Sequence, residues 1–406
     1  MPVLGDLRVL DFSRYIAGPY CASVLGDLGA EVIRIEPVGG GEDRRLIPVT
    51  EAGEGALFLQ LNRNKKSLAV DAASAEGRQI VERLACTADV VITNMPVGTL
   101  KRHGLDYQTL RGLKPDIIVT NLSAFGPKGP LGGRTGFDAV AQGISGAAYL
   151  GGSPSRPSRS ASSYVDYGTG LAGALGTLAA VIHRLKTGEG QNVQASLLAT
   201  AMTFINAAHI EAAAKGTDRR PYGNRSPNSA PSDFFPTLDG AIAVQVVGNA
   251  MFRRWAKLMD RPELARDPRF DSDAARGQNG LALSRVMRKW TKTRTTAEAI
   301  EQLGRAGIPS GPVYSPHQAV LDPDIEGSGV LGAVRQPGVG TELPIANLLV
   351  QLQTIAQSVR APAPSAGQHT AQVLRAIGYS DKEVADLARK GCVGAPEFLH
   401  RESVEA

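Results

Sequence analysis

The chain has 406 residues, 43% of them apolar and 20% charged, with a formal net charge of +5. That length can bury a large core and predicts two domains. The basic excess is mild and spread out; it suits an anionic ligand and argues against a nucleic-acid binder, which would cluster its cations on one face.

The N-terminal half alternates. "RVLDF" (Arg8–Phe12) reads as a buried strand, "GPYCASVLGDLGA" (Gly18–Ala30) as a helix ending on glycine, and "EVIRIE" (Glu31–Glu36) as a second strand. The unit repeats through the strands "SLAVD", "DVVITN" and "DIIVTNLSAFG", with a helix at "SAEGRQIVERLA" capped by Ser74. Alternation of this kind predicts an α/β fold with a Rossmann-like parallel sheet covered on both faces. "RNKK" (Arg63–Lys66) precedes one strand, and its lysines Lys65 and Lys66 read as surface charge or helix-edge packing.

A Gly/Pro-rich stretch, Gly126–Gly136, interrupts the rhythm. Two helical segments follow, "DAVAQGISGAAYL" and "GLAGALGTLAAVIHRL", separated by the polar loop "GGSPSRPSRSASSYVDYG". A strand at "QNVQASLL" leads into a long helix to about Lys215. The expected division is a large domain over 1–215, completed by 330–406, and a smaller α+β domain over 226–324, with linkers at 216–225 and 325–329.

Other segments limit the cell biology. No apolar run approaches about 18 uncharged residues, so no membrane span is expected. The N-terminus lacks a basic region followed by an apolar core and does not read as a signal peptide. Three widely separated cysteines without CxxC spacing suggest reduced thiols in a cytoplasmic protein. The six histidines are scattered, and no metal site is expected.

Motif by motif, the α/β core loses its usual tenants. After the first strand stands "SRYIAGPYC", not G-x-G-x-x-G, so a dinucleotide is not indicated. There is no Walker A sequence and no G-x-S-x-G nucleophile elbow. One carboxylate stands out: Asp166, in "SSYVDYGTGLAG" ahead of an alanine-rich helix. Asp is a favoured helix cap, so local sequence alone is satisfied by a structural role.

Six segments in order carry a resemblance: "VLDFSRYIAGPYCASVLGDLGAEVIRIEP", "NRNKKSLAVD", "RTGFDAVAQGISG", "HRLKTGEGQNV", "GIPSGPV" and "GQHTAQVLRAIG". Together they resemble the class III coenzyme A transferases, the CaiB/BaiF family, from Leu4 to about Leu387. The resemblance implies transfer of coenzyme A from an acyl-CoA thioester to a free carboxylic acid. Coenzyme A is then a substrate, and no permanently bound cofactor is expected. It implies that Asp166 is the nucleophile. Attack on the thioester gives a mixed anhydride and expels CoA thiolate. Exchange with the acceptor acid and the returning thiolate, by way of anhydride and aspartyl-CoA thioester, yields a new acyl-CoA. Covalent catalysis of this kind divides one difficult exchange into easier steps.

The resemblance further implies that Ile16 and Ala17, the stretch Val70, Asp71, Ala72 and Ala73, the stretch Asn94, Met95 and Pro96, and the cation Arg102 contact coenzyme A. Phosphates favour such a cation. Gly168 and Gly170 are expected to leave room for the thioester and to offer amides to a developing oxyanion. An interlocked homodimer is implied, with no nucleic acid or membrane partner.

Departures from the pattern narrow the chemistry. Formyl-CoA transferases have glutamine at the place of Ile16, arginine at the place of Pro37, and a run of glycines where this chain has "YGNRSPNSAPSDFF". That shifts the expected acids from formate and oxalate to larger dicarboxylates. Two rivals remain: an acyl-CoA racemase and a non-catalytic CoA-ester binder. Racemases of the family carry histidine where this chain has Phe137, which cannot move a proton.

Overall fold

A computed structural model describes residues 2–153, 155–353 and 361–399. Its largest element is a seven-stranded sheet in the order β12-β3-β2-β1-β4-β5-β6. The strands are β1 (Arg8–Asp11), β2 (Glu31–Glu36), β3 (Lys65–Val70), β4 (Val90–Thr93), β5 (Ile118–Ser123), β6 (Asn192–Ser196) and β12 (Val393–Gly394). β1 to β6 run parallel, and β12 pairs antiparallel with the β3 edge. The order 3-2-1-4-5-6 is that of the doubly wound dinucleotide fold, and the chain reverses direction across the sheet between β1 and β4. Short β-branched runs such as "VVIT" in β4 are buried throughout, as a sheet covered on both faces requires.

Two layers cover it. On one side Val9, Ile92, Ile118 and Leu122 meet the helices Ala17–Asp27 and Tyr164–Thr187. On the other side Leu10, Val91 and Val119 meet the helix Ala75–Thr87, and the returning chain adds Ala371, Leu374 and Leu387. That return is stitched to β3: Ser67 N–H donates to His369 Nδ1 (3.2 Å), and His369 N–H donates back to Ser67 O (3.0 Å).

The chain forms two compact units. One holds the segment up to Ser145, then Ala161–Asn206 and the chain from Pro323; the other holds Gly146–Ser160 and Ala207–Asp322. The second unit carries the antiparallel sheet β7 (Ser232–Pro236), β8 (Ala241–Gln245) and β9 (Ser310–Pro312). Its core centres on Trp255, stacked on Phe252 with ring centroids 5.4 Å apart. In the first unit β10 (Leu331–Arg335) and β11 (Glu342–Ala346) form a separate hairpin.

Three sequence readings are corrected here. Lys65 is not a surface charge: it is fully buried on β3 and donates to Asp11 Oδ2 at 2.8 Å, to Pro19 O and to Asn62 Oδ1. Lys66, the next residue along the pleat, does reach the surface, where it pairs with Glu31 at 2.6 Å. The long helix to Lys215 is two helices, Leu197–Phe204 and Asn206–Lys215, broken at Ile205. Finally, the Tyr164–Thr187 helix is 24 residues long and apolar enough to cross a membrane, against the expectation that no such run exists. Its glycines and alanines disguise it as ordinary core, and core is where one side of it lies, with Gly173, Ala174, Thr177 and Val181 buried.

Candidate active site

A cleft of about 360 Å³ opens at the carboxyl ends of β1, β4 and β5. This is the switch point of the sheet, the place where doubly wound folds bind ligands. Its walls come from the turn after β1 (Arg14–Ala17), the turn after β4 (Asn94–Val97) and the end of β5 (Asn121–Ala124), with Phe137 and Asp166 facing them.

The turn after β1 is held in an uncommon shape. Tyr15 has φ +67, a left-handed conformation that few side chains adopt freely. Two supports fix it. Tyr15 N–H donates to Asp43 Oδ2 (3.2 Å), and Asp43 is itself gripped by Arg34 Nη2 at 2.7 Å. Asn94 clamps the preceding residue, its Oδ1 accepting Arg14 N–H (3.0 Å) and its Nδ2 donating to Arg14 O (2.7 Å). Asn94 therefore shapes the wall with both ends of its amide committed. Ile16 is the N-cap of the Ala17–Asp27 helix and has no side-chain cap, which leaves that helix start facing the cleft.

Asp166 sits in the first turn of the Tyr164–Thr187 helix, not in the loop before it. The helix begins earlier than its glycines suggest because another residue caps it. Val165 N–H (2.9 Å) and Asp166 N–H (3.2 Å) both donate to Asp138 Oδ1. Asp138 is buried, and its Oδ2 accepts Gln142 Nε2 at 2.5 Å. The capping role thus belongs to Asp138. Among the described residues nothing donates to the Asp166 carboxylate. Burial pushes that carboxyl up to about 7, and the nearby Asp138 charge adds to the rise.

The two glycines after it do other work. Both lie inside the helix, so their amides are engaged along its axis. A Cβ on Gly168 would stand 2.6 Å from the Phe204 ring, and one on Gly170 would stand 2.7 Å from Ala17 O. They permit close packing rather than facing the cleft, which corrects the expectation of oxyanion amides at these positions. Phe137 is 63% exposed, packed edge-on against Tyr15 at 5.8 Å, and forms the cleft's aromatic side.

A second cavity of about 450 Å³ holds Val70, Asp71, Ala72 and Ala73. Arg14 and Met95 line both cavities, so the two share a wall. Pro96 lines the first cavity. Arg102 lines neither; its Nη2 donates to Thr99 Oγ1 at 3.1 Å on an exposed helix face. The cation at the junction is Arg14, which the sequence reading passed over within "SRY". It also passed over Asp138, visible only as the acid after Phe137.

The family model described as CoA-transferase family III matches residues 4–370. The chain belongs to that family. A CaiB/BaiF family protein from Brucella suis superposes with a TM-score of 0.81 at 30% identity, over 93% of this chain and 99% of that one. The succinyl-CoA–D-citramalate CoA-transferase of Chloroflexus aurantiacus is 32% identical over 95% of this chain and 97% of its own. The succinate–glutarate CoA-transferase of Agrobacterium fabrum is 31% identical over 92% and 95%. The cleft therefore lies within the fold of a family III CoA-transferase.

Proposed function

We propose that this transferase moves coenzyme A between dicarboxylic acids and that Asp166 is its nucleophile. The observation that carries the reading is a carboxylate without hydrogen-bond donors among the described residues, lining the switch-point cleft of a family III fold. Relatives named for succinyl-CoA, D-citramalate and glutarate support the dicarboxylate class.

The Asp166 carboxylate attacks the thioester carbonyl, and the C–S bond breaks to give an acyl-aspartyl anhydride and CoA thiolate. The thiolate attacks the aspartyl carbonyl, which frees the donor acid and leaves an aspartyl-CoA thioester. The acceptor carboxylate then displaces the thiolate, and the thiolate takes the acceptor's acyl group from the new anhydride. Asp166 leaves the cycle unchanged. A carboxylate with few donors around it is weakly stabilised and hence a better nucleophile. The junction cavity at Val70–Ala73, with Arg14 at its mouth, is the proposed seat of the nucleotide end of coenzyme A, and no tightly held cofactor takes part. Phe137 supplies no proton relay, which disfavours racemisation.

A homodimer is part of the reading. Leu175, Ile182 and Leu185 are 71%, 54% and 78% exposed along one face of the Tyr164–Thr187 helix. An apolar stripe of this kind on a core helix fits burial against a second copy. The three unpaired thiols fit a cytoplasmic location.

The test is direct. Enzyme incubated with succinyl-CoA and quenched with hydroxylamine should carry a hydroxamate at Asp166 and at no other carboxylate. Product analysis against a panel of dicarboxylates should show new acyl-CoA. Near wild-type turnover by Asp166→Asn, which cannot form the anhydride, would overturn the assignment.

A further inference from the structure

Asn121 stands near the carboxyl end of β5, in register with Thr93 of β4 and Gln194 of β6. It is 8% exposed and lines the cleft that contains Asp166. Its Oδ1 is buried without a hydrogen-bond partner among the described residues. Buried acceptors are almost always paired, so an unpaired one calls for a reason. Its polar neighbours make their hydrogen bonds elsewhere. Thr93 Oγ1 accepts Met95 N–H (3.2 Å), Gln194 Nε2 donates to Asn192 Oδ1 (2.8 Å), and Asn94 is committed to Arg14.

A ligand that fills the cleft is one source of the missing donor. Simple dicarboxylates at neutral pH carry only acceptors. A CoA thioester carries two secondary amide N–H groups in its pantetheine arm. We propose that Asn121 Oδ1 accepts one of these N–H groups and thereby sets how far the thioester carbonyl reaches toward Asp166. Asn121 is then a positioning residue for the thioester. The inference rests on the proposal that this cleft takes a CoA thioester. It gives a reason for an asparagine at this buried place, between Thr120 and Leu122 of β5.

The experiment compares wild type with Asn121→Leu, which has nearly the same shape and no acceptor. The probes are succinyl-CoA and two analogues, each with one pantetheine amide replaced by an ester. With Asn121→Leu, KM for succinyl-CoA should rise and kcat should fall, with kcat/KM down about tenfold or more. One of the two analogues should weaken wild type by a similar factor and should not weaken Asn121→Leu further. Wild type indifferent to both analogues, or an equal penalty in both proteins, would overturn the proposal; so would an unchanged KM in the variant, with water then serving Oδ1. Should Asn121→Leu fail to fold, Asn121→Ser and the wild-type analogue series decide alone. Hydroxylamine trapping at Asp166 separates the two readings. A wild-type adduct with an unaltered variant KM defeats only the role of Asn121. Absence of the wild-type adduct defeats the proposed function, and the role of Asn121 with it.

Discussion

Asp138 Oδ1 accepts the backbone N–H of Asp166 at 3.2 Å, while the Asp138 charge helps to hold the Asp166 carboxyl at about 7. One buried acid therefore starts the helix and also resists ionisation of the residue it positions. The hydrogen bond runs to the backbone, so the Asp166 side chain is left unclaimed.

That dual role can be taken apart. If ionised Asp166 is the nucleophile, kcat/KM in wild type should fall about tenfold per pH unit below about 7. Asp138→Asn keeps an acceptor oxygen and removes the charge, which favours ionised Asp166. The acid limb should move to lower pH. Asp138→Ala removes the cap as well and should cost about 1 kcal/mol in denaturant unfolding. An acid limb that stays in place in Asp138→Asn would show that burial alone sets it.

Asp166→Asn should lose turnover by a factor of about 10³ or more and yet gain stability at alkaline pH. The folded-state value of about 7 lies above the ordinary 3.8, so the native state holds a proton that the unfolded chain releases. Wild-type stability thus falls as pH rises from about 4 to 7. At pH 8 the ionised carboxylate costs on the order of 1–3 kcal/mol, which asparagine does not. Thermal unfolding should show the variant more stable at pH 8 and level with wild type near pH 4. A variant less stable than wild type at pH 8 would refute the linkage.

Alanine at either helix glycine should be poorly tolerated. At Gly168 the added methyl meets the Phe204 ring, and at Gly170 it meets the backbone carbonyl of Ala17, which cannot rotate away. Overpacking of this kind costs about 1–3 kcal/mol. Gly170→Ala should be the worse of the two, with a raised KM, because Ala17 belongs to the cleft wall. Equal, negligible shifts in melting temperature would count against the close packing.

Asp43→Ala tests the support beneath the Tyr15 turn. Arg34 is 1% exposed and would lose its nearest carboxylate, leaving Glu36 at 3.6 Å. Breaking a buried pair on one side costs about 3–5 kcal/mol. The Tyr15 N–H would also lose its acceptor, so the turn should relax toward ordinary φ values and KM for the thioester should rise. Asp43→Asn, which retains an acceptor for Tyr15, should recover part of KM but less of the stability.

The sequence carried the parallel core clearly, because the strands alternate with helices and are apolar on both faces. Strand order was hidden, since it depends on which neighbours pair and not on any local pattern. β12 is two residues long and pairs with a strand more than 300 positions earlier. Asp166 was found through its surroundings, but its helix was started too late. The cap that fixes the start lies 28 residues upstream, outside any local window. Lys65 was misread for a related reason: its counter-ion Asp11 is 54 residues away, and a polar strand start looks like surface. Asn121 gave no signal, for an unpaired oxygen becomes visible only once everything around it is in place.

The return of the chain to β3 has a consequence for synthesis on the ribosome. The layer that covers Leu10, Val91 and Val119 is completed by Leu374, Leu387, Val393 and Ala395. A nascent chain emerging from its N-terminus therefore holds one face of its sheet only partly covered, by the helix Ala75–Thr87, until almost the last of these residues has been made. The β3 edge is unpaired for the same interval. A growing chain of this design depends on speed of completion, or on a chaperone at that face, and a premature stop codon before Thr370 leaves that layer incomplete and the β3 edge unpaired.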